Sequence, residues 1–80
     1  MNDQQILAHI TELVDEEHKL LKLEEQGVLS DPQHERMRSL EVSLDQCWDL
    51  LRQRRARRAA GQDPDAVQPR DPEIVEHYLQ

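Results

Sequence analysis

Eighty residues make one domain at most, and only 36% of them are hydrophobic while 34% are charged. One Trp, one Tyr, no Phe and a net charge of −7 leave thin material for a self-sufficient core, and a surface of that sign repels nucleic acid. No apolar run approaches the ~18 residues of a membrane span, and a single Cys excludes an internal disulfide framework and suits a reducing compartment. The opening Met1-Asn2-Asp3-Gln4-Gln5 lacks the basic and apolar regions of a signal peptide. The expected location is the cytoplasm.

Residues 3–26 are predicted as a helix. Ile6, Ile10, Leu13, Glu17 and Leu20 alternate spacings of four and three, and Leu7, Val14 and Leu21 form a second row beside them. This periodicity argues against disorder, the other reading of a polar, charged chain. Gly27 suits the left-handed position just past a helix end. Ser30-Asp31-Pro32-Gln33 then combines a capping side chain, a proline in the first turn and a glutamine three residues after the serine. The second helix is predicted over 31–60, with Met37, Leu40, Leu44, Cys47 and Leu51 at three-four spacing, Trp48 beside Cys47, and Gly61 as its stop.

Residues 61–70, with two prolines and no periodicity, are expected to be an extended linker. The final stretch, 71–80, carries the signals of a short helix over 72–79: Asp71 as cap, Pro72 at the first position, and Ile74, Val75, Tyr78 and Leu79 on one side. So short a helix must dock to be stable, which makes 71–80 a candidate docking element beside the 1–60 hairpin.

A short connection makes the two long helices antiparallel neighbours. A fold about Val28 and Leu29 places Leu20 near Met37, Leu13 near Leu44, Ile10 near Cys47, Ile6 near Leu51 and Asp3 near Arg54. Arg55, Arg57 and Arg58 then overhang the end of the first helix. The apolar stripes are wider than one helix–helix seam can bury. The expected fold is all-α: an antiparallel hairpin that dimerises into a four-helix bundle, with Ile6, Ile10, Leu13, Leu20, Met37, Leu40, Leu44, Cys47, Trp48 and Leu51 as its core.

Five arginines, Arg52, Arg54, Arg55, Arg57 and Arg58, crowd into seven residues of an acidic chain. A phosphate-binding role would use them through counterion release. That role lacks interleaved aromatics to stack bases and a broad basic footprint. The favoured reading is self-complementary pairing with Asp3 or with the acids Asp63, Asp65, Asp71, Glu73 and Glu76.

His9, His18, His34 and His77 do not share a core-facing Glu-x-x-His pattern, so no metal site is expected. Glu17 points inward without a visible catalytic partner. Cys47 has Ser43, Leu44, Leu50 and Leu51 as helical neighbours, none of which activates a thiol. No phosphate loop or nucleophile elbow is present. No catalytic residue, metal or cofactor is therefore expected.

The stretch LEVSLDQCWDLLRQRRARRAAGQDPD, the opening ILAHITELVDEEHKL and the ending IVEHYLQ together resemble the domain of unknown function 2630 family, short proteins mainly from actinobacteria. The resemblance spans nearly the whole chain. It implies a cytoplasmic helical hairpin of actinobacterial origin and carries no assigned activity. It names Cys47, Trp48 and the arginines as motif members without giving them roles. At His77 the family usually has glycine.

The expected function is that of a small helical interaction or adaptor protein, acting by homodimerisation and by docking a further, unidentified protein. The alternative is an accessory nucleic-acid or transcription-complex binder using Arg52–Arg58.

Overall fold

The structure is a computed structural model that describes residues 1–67 and Pro69. The expected C-terminal helix, with Ile74, Val75, Tyr78 and Leu79, and His77 beside it, lies outside the described residues.

Two helices account for most of the described chain: α1, Asp3–Glu25, and α2, Asp31–Ala59. Both begin with a complete capping box. At α1 the Asn2 side chain accepts from the Gln5 backbone N–H and the Gln5 side chain accepts from the Asn2 N–H, each at 2.8 Å. Ser30 and Gln33 do the same at α2, with Pro32 in the first turn. Each box satisfies backbone donors that a helix start leaves without partners.

Both helices also end alike. Gly27 and Gly61 have φ of +72°. This left-handed turn lets the Val28 N–H reach the Leu23 carbonyl and the Gln62 N–H reach the Arg57 carbonyl. The pattern is a Schellman closure, and glycine adopts it without the strain a Cβ would bring.

The helices pack antiparallel with a single seam between them. Ile6, Ile10, Leu13 and Leu20 of α1 and Leu40, Leu44 and Leu50 of α2 are buried, and Ile6 and Leu40 are almost wholly enclosed. Val14, Leu23, Leu29, Met37, Cys47 and Leu51 pack against this core while half-exposed. The antiparallel hairpin is as the periodicity predicts. One assignment moves: Leu50, not Leu51, is the buried member of its pair, because a further segment covers the Leu50 side.

That segment is the stretch after Gly61. It is not extended as expected. Pro64–Ala66 forms a 3-10 turn, started by the Asp63 side chain accepting from the Asp65 N–H, and it folds back on α2. Val67 reaches the hydrophobic core. Met1, Leu50, Arg54, Asp65, Val67 and Pro69 surround a small recess there. No helix among the described residues is long and apolar enough to cross a membrane.

Candidate functional site

Arg54 is the organising residue at the open end of the hairpin. It continues the buried stripe of α2 one turn beyond Leu50, and only 5% of its surface is exposed. A buried guanidinium is tolerable only when its donors are used. Its Nε donates to Asp3 Oδ1 at 2.6 Å, and its Nη1 donates to Asp65 Oδ1 at 2.7 Å and to the Pro64 carbonyl at 3.2 Å. One side chain thus ties together the start of α1, the last turns of α2 and the returning segment. Arg58 donates from Nη2 to the other Asp3 oxygen, Oδ2.

The predicted Asp3–Arg54 proximity is therefore a direct ion pair, and Asp65 is a second acid drawn from those proposed. Arg58 does not overhang: its long side chain reaches back one turn to Asp3. Asp63 serves as a cap instead. Asp71, Glu73 and Glu76 lie outside the described residues.

Hydrogen bonds from Arg58 and Arg54 lower the Asp3 carboxyl from 3.8 to about 2. Asp3 is thus more acidic folded than unfolded. Its stabilising contribution is present above pH ~4 and fades as pH falls toward 2. An acid titration followed by circular dichroism should show that Asp3→Asn removes part of the stability change between pH 4 and 2. The same substitution should also lower stability at neutral pH, where the ion pair is lost. A variant with the parental acid profile would mean that Asp3 does not hold this end closed.

The other three arginines differ. Arg52 and Arg55 are exposed and Arg57 is half-exposed, and none takes part in the ion pairs seen among the described residues. Among the described residues, acids of the same chain engage two of the five arginines, Arg54 and Arg58.

The sequence reading missed two polar contacts. Arg36 grips Glu16 with both nitrogens of its fork, Nη2 lying 2.9 Å from Oε1. These positions are not opposite in the hairpin register, and only the reach of arginine joins them. Asp49 is buried and accepts from Gln53 Nε2 at 2.8 Å, one helical turn on. Its i,i+4 spacing is the signal that could have found it.

Cys47 is half-buried, and burial pushes its thiol up from 9.0. That disfavours the thiolate a nucleophile needs. Glu17 is half-buried on the seam side, and His9, His18 and His34 are exposed. No group of three metal-binding side chains comes together among the described residues.

The remaining feature is apolar. Leu7, Leu21 and Trp48 are 46%, 38% and 45% exposed. Trp48 is therefore not part of the core of a single hairpin. At about 100° per residue, Leu7, Val14 and Leu21 sit roughly 80° to one side of the α1 seam, and Trp48 and Met37 sit at similar angles from the α2 seam. Because the helices run in opposite directions, this turn carries both rows to the same broad face of the hairpin. The Glu16–Arg36 pair, Leu50 and the 64–67 segment belong to the opposite face. One face is thus closed by an ion pair and a returning segment, while the other presents an aromatic ring and a row of aliphatic side chains.

Residues 2–80 match the model of a family described as protein of unknown function, DUF2630. The chain belongs to that family. Curated relatives include uncharacterized proteins of Mycobacterium tuberculosis strains CDC 1551 and H37Rv and of Mycobacterium bovis. Each is 46% identical over 77 residues, covering 95% of this chain and 88% of the relative. The resemblance read from the CWDLLRQRRARR stretch is thereby a membership shared with mycobacterial proteins. No solved structure matches the chain significantly.

Proposed function

We propose that this member of the DUF2630 family is a helical interaction protein that works as a homodimer, two hairpins forming a four-helix bundle. The single observation that carries the reading is the one-sided exposure of Leu7, Leu21 and Trp48. Scattered exposed leucines need no explanation, but an aromatic ring aligned with aliphatic rows on one face is the pattern of an interface. The size is adequate. An outline of 49 × 25 Å gives a broad face on the order of 1,000 Å², against the ~800 Å² per partner of a standard interface. Assembly would place Trp48, Leu7 and Leu21 in a second layer of core that one seam cannot supply. Adaptor activity toward a further protein would use the surface left over after dimerisation.

Acidic self-complementarity supports this reading over nucleic-acid binding. Arg54 and Arg58 are spent on Asp3 and Asp65, which leaves too small a cationic patch for a phosphate backbone.

The test is sedimentation of the full chain at micromolar concentration. The expected species has twice the 9.4 kDa chain mass. Trp48→Glu should weaken association by more than tenfold, as loss of a central aromatic anchor does, while the helical circular dichroism persists. A wild-type chain that stays monomeric at these concentrations overturns the proposal.

A further inference from the structure

Helix α2 is buried on a side that α1 does not touch. Asp49 is 4% exposed, yet at ~100° per residue it sits about 140° around the helix from Leu44 in the seam. An aspartate so placed on a bare two-helix hairpin stands mostly in water. Val42, Gln46 and Gln53, about 160–180° from Leu44, are half-buried as well. Among the described residues, α1 packs on the seam side of α2 and the 64–66 turn packs on its Arg54 side. No described element lies over this third, outer face.

The covered patch has a length. It runs from Gln53 to Val42, about 16 Å at ~1.5 Å per residue. Nearer the loop the same face is bare, with Glu35, Arg38 and Ser39 exposed. A cover of that extent is roughly ten helical residues long.

Residues 70–80 match it in length, position and direction. The returning stretch passes from Arg54, which holds Pro64, to Leu50, beside which Val67 and Pro69 line the recess. It therefore travels toward the loop, and residue 70 begins next to the patch. Polarity agrees. On a helix over 72–79, Ile74, Val75, Tyr78 and Leu79 share one side while Glu73 and Glu76 fall on the other, at ~100° per residue. The apolar side can thus meet α2 with both acids in water. Arg70 stands at the end that approaches Asp49, and the face also carries Asp45; opposite charges favour that placement.

We propose that residues 70–80 dock in cis along the outer face of α2, antiparallel to it, with the Ile74–Leu79 side on Val42 and Gln46 and with Arg70 toward Asp49. The hairpin becomes a three-helix unit. The face this closes is not the Leu7–Trp48 face, so the proposal stands with or without a second copy.

Thiol reactivity in the full chain tests it. In a Cys47→Ser background, Val42→Cys reports on the covered patch and Ser39→Cys on the bare face nearby. Position 42 should react with a maleimide about tenfold more slowly than position 39, as a docked segment protects what lies beneath it. Adding Ile74→Asp should bring the two rates together while the helical circular dichroism of the hairpin persists. Equal rates before that change, or a rate at position 42 that Ile74→Asp leaves unaltered, overturns the docking. A second variant identifies whose segment it is. Cys47→Ser with Val42→Cys and Leu79→Cys, treated with a short bismaleimide, should give a cross-linked species of the 9.4 kDa chain mass. A product of twice that mass means that the segment crosses to a second copy and overturns docking in cis; no cross-link of either kind overturns docking on this face.

Discussion

Replacing Leu40 by alanine should remove about 2–5 kcal/mol of the hairpin's stability. Leu40 has no exposed surface and sits where α2 meets α1. Removing a buried leucine loses the transfer free energy of its atoms and leaves a cavity, at a cost of about 2–5 kcal/mol. A small domain holds only roughly 0.05–0.15 kcal/mol per residue, so one such cavity uses up a large share of its stability. The seam offers no second layer within the hairpin to collapse into the gap. Urea unfolding followed at 222 nm is the measurement, with Leu21→Ala as the comparison. Leu21 is 38% exposed, so its loss should barely disturb the hairpin and should instead weaken association. Equal losses of stability in the two variants would mean that the core is not where the structure places it.

Substitution of Arg54 by leucine should have the next largest effect, and a different one. Leucine keeps apolar bulk beside Leu50 but removes every donor to Asp3, Asp65 and the Pro64 carbonyl. Asp3 retains Arg58, so the start of α1 stays partly held. Asp65 and Pro64 lose the guanidinium that anchors them, and the 3-10 turn should detach from α2. Hydrogen exchange is the direct readout. Protection at Ala66, whose N–H bonds to the Asp63 carbonyl, should fall severalfold, while amides in the middle of α1 and α2 change little. Lysine at the same position should not rescue it, since a single ammonium cannot occupy both places from which the guanidinium donates, Nε toward Asp3 and Nη1 toward Asp65 and Pro64. Unchanged exchange at Ala66 would mean that Val67 alone holds the segment in place.

These expectations separate two kinds of contact. The Leu40 seam is hydrophobic and indifferent to pH. The Arg54 node is ionic, and Asp3 gives it an acid sensitivity between pH 4 and 2. Destabilisation at mildly acidic pH, where Asp3 is still ionised, would have to come from another group.

Much of the hairpin was legible because its signals are local. The capping box at Ser30 and the glycines at 27 and 61 lie within a few residues of the ends they set. The Ile6–Leu20 and Leu40–Leu44 rows follow from the helical period, and the short connection fixes the antiparallel register that brings Asp3 to Arg54. The contacts that escaped are nonlocal. A polar, proline-bearing stretch has no periodicity to show that 64–66 turns back and that Val67 covers Leu50. Nor does spacing reveal that Arg58 bends to Asp3, or that Arg36 crosses to Glu16, because an arginine's reach spans more than a helical turn.

By itself the amino-acid order determined the two helices, their ends and their direction, since each rests on backbone geometry and a repeat of 3.6 residues. Only the folded chain decided which arginine is buried, which leucine of the 50–51 pair is enclosed and that Trp48 faces outward. Those outcomes depend on what covers each side of the seam. That is a competition between segments far apart in sequence, settled by burial and by the pairing of charge, and no local pattern records it.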